Sequence, residues 1–419
     1  MRSSLLTSFC FTSAIALFMA GCGGGSEAGD AALGGSVVGS GTTTDTPPEP
    51  GILTAGDWDD NLNFALFQNY LTDHAKSANS ASFNSGDRIV ITVTNAEGQP
   101  VSNAYVQIVD ATYKYLSAPT ASDGRVLFFP HEDGMIQRGP VTILVAPPPG
   151  QQAATPVSVP LPKMGADITI KLPDTKLAPP KELDLAFVID TTGSMGDEIN
   201  YLKAEIQGIV DGVKTKFSGV SIHYSVILYR DHGDDYVTRV FDFTSDLGNF
   251  KGQLAAQSAG GGGDMPEAMD EAMAKVPDLA WRTGNTARMA FLIADAPPHP
   301  GDDAATLSAM NALRPLGVKL YPVAASGVDA EAEYVMRVGA EATLGRYLFL
   351  TDDSGVGAPH EEPHIPCYQV QKLNTLIGRM IASELSGTRV PADPGTIIRS
   401  VGDPHEGVCR LMDGSEAHL

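Results

Sequence analysis

Two hydrophobic rhythms divide the chain. Between residues 87 and 172, apolar side chains recur at every second position in short runs broken by Gly, Pro and Asp turns. RIVITVTNAEGQPVSNAYVQIVD predicts two strands around a turn at Glu97-Gly98, and residues 126–129, 141–145, 157–161 and 167–172 predict further strands. About six short strands at this spacing imply a small all-β sandwich. After residue 183 the rhythm changes. Fully apolar runs now alternate with segments whose apolar residues step by three or four. The runs predict strands at 183–190, 220–230, 237–243, 288–295, 318–325 and 346–351. The stepped segments predict helices at 196–216, 246–257, 266–276, 303–314, 329–342 and 370–386. Strand and helix in alternation imply an α/β doubly wound, mostly parallel sheet, with 237–243 as an antiparallel edge strand.

The stretch 183–195, LDLAFVIDTTGSM, organises this second part. An apolar strand stops on Asp190, the chain turns through Gly193, and an amphipathic helix begins. Its polar residues therefore fall at the carboxyl edge of a sheet, where open α/β folds bind ligands. Asp190, Thr192 and Ser194 are hard oxygen donors, which suit Mg²⁺, Ca²⁺ or Mn²⁺. The alternative is a polar helix cap.

At these residues the chain resembles the von Willebrand factor A family, whose metal-ion-dependent adhesion site has the pattern D-x-[ST]-x-S. Two more loops fit the resemblance. Residues 260–267, GGGGDMPE, look like the family's second metal loop, with Asp264 as the candidate donor and Gly263 where many relatives carry a Thr. Asp264 has a helix-cap reading as well. Residues 290–299 run along an apolar strand to Asp295, which matches the acid of the third loop. The resemblance implies a divalent cation, Mg²⁺ or else Ca²⁺ or Mn²⁺, with an open position. A carboxylate on a protein partner completes it, in a non-enzymatic adhesion or assembly role.

The amino terminus sets the address. Residues 1–21 carry Arg2, an apolar stretch and small residues, as a secretory signal does. Ala20-Gly21-Cys22 resembles a bacterial lipobox, which implies acylation of Cys22 and anchoring in the cell envelope, at the outer membrane because no Asp follows Cys22. Ordinary signal cleavage is the alternative. Residues 22–51, rich in Gly, Ser, Thr and Pro, read as a tether. Residues 52–80 read as a short pre-domain segment in which Asp57, Asp59 and Asp60 form a solvated acidic turn. A β-sandwich at 81–176 follows, similar to immunoglobulin-like and carboxypeptidase-regulatory-like modules around 98–104 and 120–125. The A-like domain spans 181–387 and a tail 388–419. Cys367 and Cys409 are an even pair for an oxidising compartment and predict a disulfide. The formal net charge of −22 argues against nucleic acid as a partner.

Other motifs point elsewhere. His360-Glu361-Glu362-Pro363-His364 matches H-E-x-x-H, but Pro363 inside it opposes the helix a zinc site of that type requires. With Cys367, the two histidines also form a candidate loop site. A metal-assisted hydrolase would need a base near the cation, and His232 and His299 are the candidates. Ser194 has no adjacent base to make it a nucleophile. A purely structural cation, with binding by the sandwich, is a further alternative.

Overall fold

The structure is a computed structural model and describes residues 48–76, 80–136, 139–151 and 154–419. The signal segment, Cys22 and nearly all of the tether lie outside the described residues. No helix among the described residues is long and apolar enough to cross a membrane.

A nine-stranded mixed sheet forms the centre. Its parallel middle is built from β9 (Glu182–Asp190), β10 (Ser221–Tyr229), β12 (Thr286–Ala294), β13 (Val318–Ala324) and β14 (Tyr347–Leu350), in the spatial order 10-9-12-13-14. The near-continuous apolar runs follow from burial on both faces. In β9, Leu183, Leu185, Phe187 and Ile189 face one core while Ala186 and Val188 face the other. Helices α2 (Ile199–Lys216), α3 (Leu247–Ala255) and α7 (Leu373–Ser386) cover the first face. Helices α4 (Met269–Lys275), α5 (Asp303–Asn311) and α6 (Ala330–Ala342) cover the second. β11 (Thr238–Thr244) is the antiparallel edge beside β10.

The other end of the sheet departs from the sequence expectation. Residues 52–80 are no separate segment. They supply β1 (Thr54–Trp58), inserted antiparallel between β14 and β15 (Tyr368–Lys372), and α1 (Phe64–His74). Residues 370–372, expected as helix, belong to β15, and β16 (Arg399–Val401) from the tail closes that edge. The acids at 57–60 are not a solvated turn either. Asp60 is buried and accepts from Arg337 at 2.7 and 3.0 Å and from the Trp58 indole at 2.9 Å. Burial alone would raise Asp57, but Arg379, Arg346 and Arg389 together hold it far below the usual carboxylate range.

Two smaller sheets share one apolar core between residues 89 and 172. One holds β2 (Ile89–Thr94), β5 (Arg125–Phe128) and β8 (Ile168–Lys171); the other holds β3 (Tyr105–Val109), β4 (Lys114–Pro119), β6 (Thr142–Ala146) and β7 (Val157–Pro160). Ionic contacts join them to the large sheet and its helices: Arg88 to Glu341 at 2.6 Å, Arg314 to Asp133 at 2.8 Å and Lys319 to Asp123 at 3.6 Å; the Ser122 hydroxyl also donates to Glu384 at 2.8 Å. Cys367 and Cys409 form a disulfide that ties β15 to the tail strand Val408–Arg410.

Arg337 is the most enclosed cation of these pairs, 1 % exposed, and also reaches Glu333 at 2.9 Å. Arg337→Met leaves Asp60 buried without its cation. It is expected to lower unfolding stability by about 3 kcal/mol or more, read by urea denaturation, with part of the loss recovered in the double variant that also carries Asp60→Leu.

Candidate metal centre

Strand alternation and a tight turn set the first loop. Asp190 closes β9 and is fully buried. Its Oδ1 accepts the Thr192 N–H at 2.9 Å and the Thr192 hydroxyl at 2.7 Å, and the Thr192 and Ser194 hydroxyls are 3.1 Å apart. Thr191 points the other way, donating to the Tyr229 carbonyl on β10 at 2.8 Å and lying 2.7 Å from the Tyr236 hydroxyl. Residues 190, 192 and 194 therefore share one side of the turn. Of the two helix-cap candidates, Asp190 does accept a backbone N–H, that of Thr192 just ahead of the 3₁₀ turn Gly193–Asp197, whereas Thr192 makes no side-chain capping bond. Ser194 is exposed, so the site opens there.

Backbone hydrogen bonds clamp the second loop to the first. Gly260 N–H donates to the Thr191 carbonyl at 3.0 Å, and Gly193 N–H to the Gly261 carbonyl at 3.1 Å. Glycine is required at 262. Its φ is +71°, and a Cβ there would stand 2.8 Å from Glu267 Oε1 and 3.3 Å from Thr192 Cβ. The loop thus lays Glu267, 2 % exposed, against Thr192. Asp264, the expected donor, is exposed, and among the described residues no hydrogen bond joins it to Asp190, Thr192, Ser194 or Asp295. The third loop follows β12. Asp295 is 3 % exposed, and the Glu267 N–H donates to the Pro297 carbonyl at 3.0 Å, locking loops two and three together.

These placements gather three acids with no cationic side chain among them. Burial, and then Asp295, pushes Asp190 up to about 7. Burial, with Glu198 and Asp197 nearby, raises Asp295 to about 6 against the pull of a Ser194 hydrogen bond. Burial, with Asp190, Asp231 and Asp295, raises Glu267 to about 9. Asp190 Oδ2, Asp295 Oδ1 and Glu267 Oε2 are buried without hydrogen-bond partners. Such oxygens are costly unless something positive meets them. A divalent cation with hard-oxygen preference fits this set. Among the described residues no three His, Cys, Asp or Glu side chains form a metal-binding group on their own. A cation here needs the hydroxyls of Thr192 and Ser194 as donors.

The other candidates fall outside this set. His299 donates to or accepts from Asp231 at 2.6 Å and lies 5.6 Å from the ring of His232. The Asp231 bond favours its protonated form, which suits a fixed cation more than a general base. His360 bridges Glu198 at 2.9 Å and Asp352 at 2.8 Å, while His364 pairs with Glu333 at 2.8 Å. The H-E-x-x-H histidines therefore serve different partners, and Cys367 is consumed by its disulfide. Glu267 was passed over in the sequence for Asp264, three residues earlier. The available signal was Glu267 standing directly before Ala268 and Met269, whose apolar side chains open the buried face of α4.

Residues 184–319, which contain all three loops, match the family model of the von Willebrand factor A domain. An alpha-protein kinase, vwkA, from Dictyostelium discoideum is 32 % identical over 140 residues, 33 % of this chain and 22 % of that protein. The human von Willebrand factor A domain-containing protein 7 is 38 % identical over 101 residues, 23 % of this chain and 11 % of that protein. The chain thus spans between about a tenth and a fifth of the length of these curated relatives. Among solved structures, the conserved hypothetical protein BatB from Bacteroides thetaiotaomicron aligns at 14 % identity and a TM-score of 0.32, over 48 % of this chain and 98 % of its own. The three loops that converge at the carboxyl edge of the parallel strands all lie inside that matched segment, residues 184–319.

Proposed function

We propose that this protein is a non-enzymatic, divalent-cation-dependent binding module that captures a carboxylate-bearing protein at the cell envelope. The observation that carries the reading is the trio of buried, unpartnered carboxylate oxygens on Asp190, Asp295 and Glu267, beside the exposed Ser194. Asp190, Thr192 and Ser194 hold the cation, Asp295 supplies further negative charge, Asp264 contributes from the rim, and Glu267 stands beside them as a buried acid held protonated to about 9 in the absence of a cation. Bound Mg²⁺, or Ca²⁺ or Mn²⁺, supplies a Lewis-acidic position open to a partner's oxygen. The chain's own part is to hold the donors in place through the inter-loop backbone bonds. A module of this kind needs no base, consistent with His299 being committed to Asp231.

Cation titration of the full chain by calorimetry is expected to show one dominant site. Asp190→Ala removes that heat while the circular dichroism spectrum stays unchanged, and EDTA abolishes partner capture to the same extent as the substitution. Capture that persists in EDTA defeats the proposal.

Proton linkage gives a second test. Burial raises the folded pKa values of Asp190 and Asp295 above the ordinary aspartate value, to about 7 and about 6. Their contribution to stability is therefore full below about pH 4 and is lost as pH rises through 6 to 7. In chelator, this pair pulls Tm down between pH 5 and pH 8. Added Mg²⁺ is expected to raise Tm more at pH 8 than at pH 5, since it binds the deprotonated site. An equal shift at both pH values goes against the assignment.

The envelope address rests on residues 1–22. Metabolic labelling with a palmitate analogue is expected to mark the mature chain and to fail in Cys22→Ser. Label retained by that variant removes the anchor.

A further inference from the structure

We propose that the cleft between β4 and α5, continued over the outward face of the four-stranded sheet, binds a neutral glycan. The cleft shares no residue with the three acid loops, and its ligand needs no cation.

The two small sheets use their outer faces differently. The three-stranded sheet packs on the large one: Leu127 of β5 belongs to the core that α4, α5 and α6 cover, and Val90 of β2 packs against it. The four-stranded sheet, in the order β4-β3-β6-β7, turns its other face outward. Val106, Ile108, Ile143 and Val145 fill the shared core. The alternate positions are 105, 107 and 109 on β3, 117 and 119 on β4, 142, 144 and 146 on β6, and 158 and 160 on β7, and none of them is Asp, Glu, Lys or Arg. A sheet face left to water alone ordinarily reads polar, charges included, and this chain carries a net charge of −22. Instead Tyr105, 44 % exposed, and Leu144, 36 % exposed, flank Gln107 and Ser117. The Tyr105 hydroxyl lies 2.6 Å from the Ser117 Oγ, which also accepts from the Gln107 amide at 3.3 Å.

β4 is the edge strand, and beyond it a cleft of about 570 Å³ opens against α5. Ser117 belongs to both the face and the cleft, so the two are continuous. Ser82, Ser117, Ser308 and Asn311 line the cleft with hydroxyl and amide groups, and Phe83 and Tyr115 line it with rings. The Asn311 Oδ1 is buried and has no hydrogen-bond partner among the described residues. The four charged residues of the lining cancel, Lys114 and Arg314 against Glu132 and Asp133, and Arg314 is already bound to Asp133 at 2.8 and 2.9 Å. That balance leaves no surplus of cations for a phosphate or a nucleic acid. A second copy of the chain would bring its own −22 charges against this one. Groups that both donate and accept, set beside ring faces without net charge, match a sugar, which is polar at its hydroxyls and apolar across its C–H face. The cleft is within the size range of ligand sites, and the open face beside it lets a longer chain run on.

The test is calorimetry of the full chain in EDTA with four tetrasaccharides. Cellotetraose, maltotetraose and chitotetraose are neutral; tetragalacturonate is anionic. At least one neutral tetrasaccharide is expected to bind, at least tenfold tighter than tetragalacturonate, with the same affinity when Mg²⁺ replaces EDTA. Ser308→Trp, at an exposed position on the α5 wall, is expected to weaken that binding at least tenfold. Tyr105→Ala, on the open face, is expected to weaken it at least threefold, and both variants keep the parent Tm. The proposal is overturned if no neutral tetrasaccharide binds, if tetragalacturonate binds as tightly, or if both variants bind like the parent chain. Binding that requires Mg²⁺ moves the ligand to the acid loops and overturns it too. A dimer seen by light scattering that Tyr105→Ala dissolves assigns the face to a second copy, with the same consequence.

Discussion

Burying a carboxylate costs several kcal/mol unless an opposite charge or a full set of hydrogen bonds meets it. Most of the large buried acids in this protein obey that constraint from within the chain. Asp60 has Arg337, Glu341 has Arg88, Asp184 has Arg282 and Glu384 has Lys319. Glu205, on α2, is met differently: its Oε1 accepts the N–H groups of Gly51, Ile52 and Leu53 at 2.7 to 3.0 Å, while its Oε2 is buried without a partner. At the carboxyl edge of the sheet the rule lapses. Asp190, Asp295 and Glu267 face one another with no guanidinium or ammonium between them, and their pKa values rise accordingly. The same fold that meets these other buried acids with Arg, Lys or backbone N–H groups places none of these at the orphaned oxygens of the trio.

The supports of that place are mostly backbone. Two hydrogen bonds join loops one and two, and one joins loops two and three. Glycines at 193, 261 and 262 make the approach feasible: a Cβ on Gly193 would stand 2.9 Å from the Gly261 carbonyl, and one on Gly261 would strike the Asp234 carboxylate. The donors therefore do not depend on flexible side chains for their placement, and the strands behind them are buried on both faces. At the start of α2, His360 stretches between Glu198 and Asp352, holding the proline-rich loop against the helix.

The parallel strands and their helices were legible because the constraint that forms them is local. A strand buried on both faces is mostly apolar, and residues 185–189 and 289–294 show it directly. Asp190 and Asp295 were legible for the same reason, as the first polar residues after such runs. β1 was not. Thr54-Ala55-Gly56-Asp57-Trp58 has neither alternation nor strong strand formers; it is a strand because the gap between β14 and β15 admits it. Gly56 is needed there, since a Cβ would meet the Phe349 ring at 2.5 Å. Tertiary context overrode propensity. The acids beside it misled for the same reason. Sequence-distant Arg337, Arg346, Arg379 and Arg389 convert an apparent solvent turn into a buried ionic joint, and no local pattern announces partners roughly three hundred residues away.

Glu267 marks where reading by pattern ends and reading by charge begins. Asp264 and Glu267 lie three residues apart in one loop, and either acid satisfies a search for oxygen donors. Burial separates them: one is exposed, the other 2 % exposed with an orphaned oxygen. That choice also sets the electrostatics of the pocket. With Glu267 inside, burial and the neighbouring acids raise the pKa values of Asp190, Asp295 and Glu267 together, so the trio holds its protons to a higher pH than an exposed carboxylate does, or until an opposite charge displaces them.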